Sequence, residues 1–439
     1  MSVKVCKFGG TSMADGNVIN SVKKIIESDP CRKYVVVSAP GKRYSGDTKV
    51  TDLLYASFEE LSVSGTCKNK FSAVRGRFAS IVKELNLQFE INRLLDETQT
   101  EIDKQKNEDF TASRGEYLCA RIVAEVLGAK FIDAKDVIFF KENGTLDGEK
   151  TYKAVGEAVR GVNLAVFPGF YGSDTNGKVK TFSRGGSDIT GAIIARAVNA
   201  SVYENWTDVS GFLACDPKIV HNPKNIKSIS YKELRELSYM GANVLHSDSI
   251  FPVRKANIPI QIKNTFRPED EGTSILPISR YVPSGSTVTG VAGKKNFTVI
   301  FIEKSHMNAE VGFICKVLNV LYSEGVSVEH VPSGIDTMSL VIDGSLLPPE
   351  KLSRVIEKIK ESVSPDFVRV IEDIALIATV GHGMSSSVGT SARLFGAIAS
   401  ADINVKMIDQ GSSELNIIVG VKNEDYEKCI RAIYAEFFA

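Results

Sequence analysis

Lysine and arginine cations, carboxylates and two glycine pairs form the chemical inventory of this chain. Lys7-Phe8-Gly9-Gly10-Thr11-Ser12 sets a lysine before one glycine pair and two hydroxyls after it. Ser183-Arg184-Gly185-Gly186-Ser187-Asp188 sets an arginine and an aspartate around a second pair. Ser113-Arg114-Gly115-Glu116 and Thr207-Asp208-Val209 add further polar groups. Glycine pairs let backbone N–H groups approach an anion closely, and Lys or Arg adds positive charge. P-loop spacing is absent, as are Ser-His-Asp and Cys-His patterns, and Gly381-His382-Gly383 lacks the third glycine of a dinucleotide fingerprint. The set suits phosphoryl transfer, where catalysis is mostly positioning and charge stabilisation. A carboxylate acceptor, with a pKa of ~4, is already ionised at neutral pH and needs no general base. Taken singly, each motif also reads as a turn, a capped helix start or a cap; their joint placement at strand ends carries the argument.

The elements around these motifs are strands alternating with helices. Residues 3–8 read as a strand feeding the first glycine pair, followed by a helix with Val18, Val22, Ile25 and Ile26 on one face. Residues 34–39 are a continuous apolar run, as in a strand buried on both faces. Residues 51–102 are helical, and Ser113-Arg114-Gly115-Glu116 is expected just before a helix bearing Leu118, Ile122, Val126 and Leu127. Further strands fall at 129–132, 163–167, 201–206 and 259–263, and residues 181–188 open a helix with Ile189, Ile193 and Ile194. The fold class is α/β: an open, mainly parallel sheet between helices, with ligands at the carboxyl ends of the strands.

From Ser284 the rhythm changes. Strands are expected at 297–302, 326–331 and 338–342, with helices at 311–323 and 349–363. The same order recurs at 375–380, 391–400, 404–408, 415–419 and 424–437, a β-α-β-β-α repeat of about 75 residues. Residues 367–371 complete the first ferredoxin-like α+β module and residues 287–291 the second. The expected domains are therefore 1–283 and 284–439. In the latter, a first module (about 296–368) is nested in a second (about 284–292 plus 372–439).

Bulk properties narrow the function. Lys+Arg and Asp+Glu balance at 53 each, so no global basic field invites nucleic acid. No apolar stretch nears the ~18 residues of a membrane span, and no signal-peptide apolar region opens the chain. Seven cysteines without a C-x-x-C pair and five histidines without ligand spacing give no disulfide framework and no metal site. The expectation is a reduced, cytoplasmic protein.

The four catalytic-half motifs occur in the order and spacing of aspartate kinases, and the chain resembles that family over nearly its whole length. Val380-Gly381-His382-Gly383-Met384 and Met407-Ile408-Asp409-Gln410-Gly411-Ser412-Ser413-Glu414 resemble its paired ACT domains. The resemblance implies an amino-acid-kinase fold that moves the γ-phosphate of ATP, with Mg2+ on the nucleotide, to the side chain of L-aspartate, opening the lysine, threonine and methionine pathway. It implies that Lys7, Gly9 and Gly10, with Thr11 and Ser12, hold the transferring phosphoryl group. Glu116 pairs with the aspartate amino group, Arg184 with its α-carboxylate, and Thr51 touches the substrate. Asp188 orients the cations, and Thr207, Asp208, Asp216 and Lys218 contact the nucleotide. Asn243 stands where the family has a lysine, and Leu213 where an aromatic is frequent. Met307, Asn308, Glu310, Gly312, Phe313, Ile314, Ser327, Val328 and Glu329 match positions where ACT modules bind an amino acid. The implied inhibitor is lysine, threonine or both, and the implied assembly a homodimer through the ACT modules, with a tetramer left open. An amino-acid sensor with a degenerate kinase half, and a glutamate or acetylglutamate kinase, are the alternative readings.

Overall fold

The computed structural model describes residues 2–183, 185–242, 245, 250–281 and 286–438. Two compact units result: Met1–Phe212 with Asn225–Leu234 and Asn243–Val282, and Leu213–Lys224 with Arg235–Ala242 and Pro283–Ala439. The sequence places one boundary near 283; two earlier segments also fall in the second unit.

The chain runs β1 (Lys4–Phe8), α1 (Gly16–Glu27), β2 (Arg32–Val37), α2 (Val50–Ser64), α3 (Lys68–Glu84), α4 (Ile91–Gln105) and α5 (Glu108–Leu127). It continues through β3 (Lys130–Phe131), α6 (Ala134–Val137), α7 (Gly148–Ala158), β4 (Ala165–Pro168), β5 (Tyr171–Ser173), β6 (Val179–Thr181), α8 (Gly186–Ala197) and β7 (Val202–Thr207). Then come β8 (Phe212–Leu213), β9 (Asn225–Ile226), β10 (Ser228–Ser230), α9 (Tyr231–Tyr239), α10 (Phe251–Lys255), β11 (Ile260–Asn264) and β12 (Thr273–Leu276).

An eight-stranded sheet organises the first unit, in the order β10-β12-β11-β7-β1-β2-β4-β3. The six strands from β11 to β3 are parallel, while β12 meets β11 antiparallel. β1, β2, β4 and β7 are buried almost end to end, which explains the apolar runs of β2 and β4. The helical stretch expected at 51–102 is α2, α3 and α4.

Two expectations about helix starts are corrected. Ser113, Arg114, Gly115 and Glu116 lie inside α5, not ahead of it, because Asn107 caps the helix by accepting from the Phe110 N–H, and Glu108 and Asp109 occupy its first turn. After the first glycine pair comes a short 3-10 turn, Gly10–Met13; α1 starts only at Gly16, capped by Asp15. Its buried face carries Ile19 with Val22, Ile25 and Ile26, rather than Val18.

The second unit holds β13 (Gly290–Glu303), α11 (Phe313–Ser323), β14 (Thr337–Asp343), α12 (Pro349–Val363), β15 (Phe367–Val380), α13 (Thr390–Ser400), β16 (Met407–Asp409), β17 (Asn416–Lys422) and α14 (Tyr426–Phe438). Its antiparallel sheet has the order β14-β13-β15-β17-β16. β13 and β15 pair along their whole length across an irregularity between Lys294 and Phe297. The Gly290 end of β13 faces Leu376 to Val380, beside β17; its Phe297 end faces Phe367 to Ile374, beside β14. The strand expected at 326–331 reduces to one bridge, His330 with Val341. Val326 turns into the core there, and Pro332 has no N–H to extend a ladder. The strand expected at 404–408 starts only at Met407.

Candidate active site

Parallel strands β1, β7 and β11 all end at one sheet edge, and the polar residues collect where they stop. Lys7 is the penultimate residue of β1, and its side chain is about nine-tenths buried. Lys7 Nζ pairs with Asp188 Oδ1 at 2.6 Å. Asn205 of β7, in register with Lys7, donates its Nδ2–H to the same oxygen at 2.8 Å. The Tyr203 hydroxyl donates to the Asp188 carbonyl at 3.1 Å. A Cβ on Gly9 would lie 3.6 Å from Lys7 Nζ, so the ammonium hangs over the bare glycine backbone.

The second glycine pair opens α8. Gly185 is its cap in the left-handed region (φ 57°), which favours glycine. A Cβ on Gly186 would sit 2.5 Å from Phe170 Cδ2, so the loop closes directly onto the loop after β4. This places Asp188 in the first turn of α8, facing Lys7.

The first loop is equally confined. Gly41 N–H donates to the Gly10 carbonyl at 2.8 Å, and a Cβ on Gly10 would lie 3.2 Å from the Ala39 carbonyl oxygen. Ser12 Oγ meets Thr265 Oγ1 at 2.7 Å, tying this loop to the segment after β11. Thr207 and Asp208 follow at the end of β7, where the Thr207 hydroxyl donates to Asp208 Oδ1 at 3.2 Å and the Thr207 carbonyl accepts from the Thr265 N–H.

Glu116 approaches from α5. Gly115 beside it allows the close contact: a Cβ there would meet Ala39 Cβ at 2.7 Å and Leu54 Cδ1 at 3.2 Å. Glu116 is buried, and among the described residues its Oε2 has no hydrogen-bond partner. Burial pushes its carboxyl up to about 8, against the Ala39 N–H that favours the ionised form. An orphaned buried carboxylate oxygen of this kind is costly unless a cation meets it. Thr51, in the first turn of α2, neighbours Val50, whose N–H donates to the Pro40 carbonyl. Glu116, Thr51, Gly10, Lys7 and Asp188 are thus linked through the 39–41 segment and the first glycine loop.

Not every expected residue joins this cluster. Arg184 and Asn243 lie outside the described residues. Asp216 and Lys218 belong to the second unit, where the Lys218 N–H donates to Asp216 Oδ1 in a local turn. Asn205 and Thr265 are site residues that the motif reading overlooked. Asn205 had a signal: a polar side chain in a strand otherwise patterned for full burial.

In the second unit, Met307 and Phe313 are core residues, and Val328 packs against the same cluster. Gly312 caps α11 with φ 80°. Glu310 pairs with Lys304 at 2.6 Å and Lys316 at 2.7 Å, while Asn308 donates its N–H to the Ile335 carbonyl. Ile314 is partly exposed. Ser327 precedes Val328 and Glu329; the Glu329 N–H donates to the Val341 carbonyl, and its carboxylate accepts from the Tyr239 hydroxyl.

This arrangement of two glycine loops, a Lys7–Asp188 pair and an α/β sheet agrees with the comparisons. Residues 2–264 match the model of the amino acid kinase family, and residues 377–437 match an ACT domain model. The chain belongs to the amino acid kinase family. Aspartokinase 3 of Bacillus subtilis is 40% identical, over 100% of this chain and 99% of its own. The crystal structure of the Clostridium acetobutylicum aspartate kinase has a TM-score of 0.94 and 51% identity, covering 99% of this chain and 100% of that one. Escherichia coli aspartokinase III, solved with aspartate and ADP in its R-state, has a TM-score of 0.76 at 26% identity. With lysine and aspartate in its T-state it has 0.75 at 27%; in both cases the two chains are covered in full. Within the family, the chain is an aspartate kinase with a C-terminal ACT region.

Proposed function

We propose that the protein transfers the γ-phosphoryl group of ATP to the side-chain carboxylate of L-aspartate, forming 4-phospho-L-aspartate, as the first step toward lysine, threonine and methionine. The observation that carries this is Glu116, a buried carboxylate whose Oε2 has no partner among the described residues, close to the first glycine loop through Ala39. Its natural partner is the ammonium of an amino-acid acceptor, and that pairing returns Glu116 to its ionised form. Arg184 supplies the fork for the α-carboxylate. A side-chain oxygen of the acceptor then attacks the γ-phosphorus, the new P–O bond forms, the bond to the β,γ-bridging oxygen breaks, and ADP departs. Lys7 exchanges its Asp188 partner for the transferring phosphoryl oxygens, while Gly9 and Gly10, with Thr11 and Ser12, bring backbone and hydroxyl groups close. Thr207 and Asp208 serve the nucleotide. Asp188, once released by Lys7, is the carboxylate that would hold Mg2+ brought with the nucleotide, which would supply neutralisation of phosphate charge.

The ACT region would receive lysine, threonine or both around 307–314 and 327–329, across a homodimer. Support comes from Val311, almost fully exposed, with Ile314 and Ile335 also open on that surface. The E. coli T-state structure holds lysine, which adds weight to the same reading.

The test is hydroxamate formation with Mg-ATP and hydroxylamine. Product with L-aspartate, and none with L-glutamate or N-acetylglutamate, is expected; product with glutamate instead, or with no acceptor at all, refutes it. Titrating the reaction with lysine and threonine, singly and together, identifies the effector.

A further inference from the structure

We propose that Arg77, far in sequence from every motif above, is a positioning residue that sets the geometry of both substrate loops. The inference rests on the phosphoryl-transfer reading just given. Arg77 stands on α3, and its side chain is almost completely buried. Its guanidinium makes three directed contacts. Nη1 donates to Asp47 Oδ2 at 2.6 Å, and Nη2 donates to the Ala14 carbonyl at 3.2 Å and to the Gly41 carbonyl.

Those carbonyls belong to the two loops that build the site. Ala14 closes the 3-10 turn that begins at Gly10. Gly41 donates to the Gly10 carbonyl, and a Cβ on Gly41 would lie 2.6 Å from the Gly10 carbonyl carbon. Two residues upstream, the Ala39 N–H faces the Glu116 carboxylate. One side chain therefore holds the phosphate loop at its far end and the 39–41 segment against its start, while that segment addresses Glu116.

The anchor is itself anchored. Asp47 accepts from Arg77 and from the Arg43 backbone N–H, Nε–H and Nη2–H. Hydrogen bonds from Arg43, outweighing partial burial, hold the Asp47 carboxyl well below the usual carboxylate range, so it stays ionised. From the same helix, Glu84 Oε2 accepts the Gly16 N–H at 2.8 Å and fixes where the chain leaves the loop. A planar fork with several donors can bind two carbonyls and a carboxylate at once; a lysine ammonium on a flexible stem does not reproduce that geometry.

The experiment compares Arg77→Lys with Val74→Ala, a buried position on α3 away from the loops. Melting temperature, kcat, both KM values and the ADP dissociation constant are measured on the full chain. Arg77→Lys is expected to lower kcat about 10- to 100-fold, as for a sub-ångström to 1 Å misplacement of reacting groups. It should also weaken ADP binding severalfold, whereas Val74→Ala lowers the melting temperature and leaves kcat and ADP affinity near wild type. Should Arg77→Lys not fold, Asp47→Asn, which loosens the anchor without removing the guanidinium, should shift both readouts in the same direction by a smaller factor. Equal losses in Arg77→Lys and Val74→Ala, or unchanged kcat and ADP affinity, overturn the positioning role. ADP titration needs no acceptor, so a wild type that binds ADP but does not phosphorylate aspartate refutes the proposed reaction and still decides the role of Arg77.

Discussion

Replacing Glu116 by glutamine should make the substrate-free enzyme less sensitive to alkali while removing its grip on aspartate. The carboxyl is fully buried and its pKa is raised from 4.5 to about 8 by loss of water. In the unfolded chain it ionises near 4.5; in the folded one it keeps its proton until about 8. The folded state binds the extra proton between these values, so this group's contribution to stability falls as pH rises through that window and levels off above it. Each pH unit is worth about 1.4 kcal/mol, giving roughly 3 kcal/mol between pH 5.5 and 8 as an upper estimate. For a domain of this size that is ~6–12 °C in melting temperature. Glutamine does not titrate, and the cost of burying its amide is the same at both pH values. The stability of Glu116→Gln relative to wild type should therefore improve by that amount from pH 5.5 to 8, measured by thermal unfolding without ligands. L-Aspartate at about 100 times its dissociation constant should then stabilise the wild type at pH 8 by ~3 kcal/mol and leave Glu116→Gln unmoved. Parallel pH profiles in the two proteins, or aspartate stabilising both equally, would show that the Glu116 charge is not the unmet one.

Other sites give sharper yes-or-no outcomes. Lys7→Met keeps the stem but removes the ammonium 2.6 Å from Asp188; turnover in the hydroxamate assay should drop at least ~10³-fold, and a loss under tenfold contradicts its phosphoryl role. Gly191→Ala would place a methyl 2.5 Å from the Tyr203 hydroxyl that braces the Asp188 carbonyl. It should cost about 1–3 kcal/mol in unfolding free energy from overpacking, and a melting temperature equal to wild type would refute that close packing. Tyr239→Phe removes the hydroxyl that donates to the Glu329 carboxylate. If Glu329 meets the effector ammonium, the half-inhibitory concentration should fall about 2- to 10-fold, the worth of one hydrogen bond, with uninhibited kcat unchanged. An unaltered inhibition curve would separate Glu329 from the effector.

What the sequence disclosed about the fold follows from burial. β2 and β4 are covered on both faces, so their apolar runs are unbroken and readable. The two-strand edge, β10 and β12, is short and half-polar and left no such trace. The helix over Ser113 to Glu116 was misplaced because Gly115 looks like punctuation in sequence; in the structure it is the gap that lets α5 approach Ala39. Glycine pairs and charged neighbours were visible because they repeat at strand ends. Arg77 was not, since an arginine on an amphipathic helix is ordinarily a solvated surface residue, and only the tertiary contact reveals its fork turned inward. Asp216 and Lys218 look contiguous with Asp208 in sequence, yet the fold assigns them to the other compact unit.

Glu116 is best understood against Glu204, another buried glutamate of the same unit. Glu204 sits in the centre of β7, and burial alone would raise its carboxyl as it does that of Glu116. Arg32 Nε at 2.8 Å and Lys4 Nζ at 3.1 Å overcome that burial and take it below its usual value. The Trp206 Nε1–H and the Cys6 thiol donate to the same carboxylate. Both carboxylate oxygens are answered by the chain itself, as a structural charge requires. Glu116, also buried, has an Oε2 that no described residue answers, and its carboxyl is pushed up to about 8. Side-chain type and burial are the same; only the inventory of partners differs. A fold able to satisfy one buried carboxylate in this way leaves the other without a partner among the described residues, beside the Ala39 segment that packs on the first glycine loop, and the acceptor ammonium of the proposed reaction is the group that would meet it.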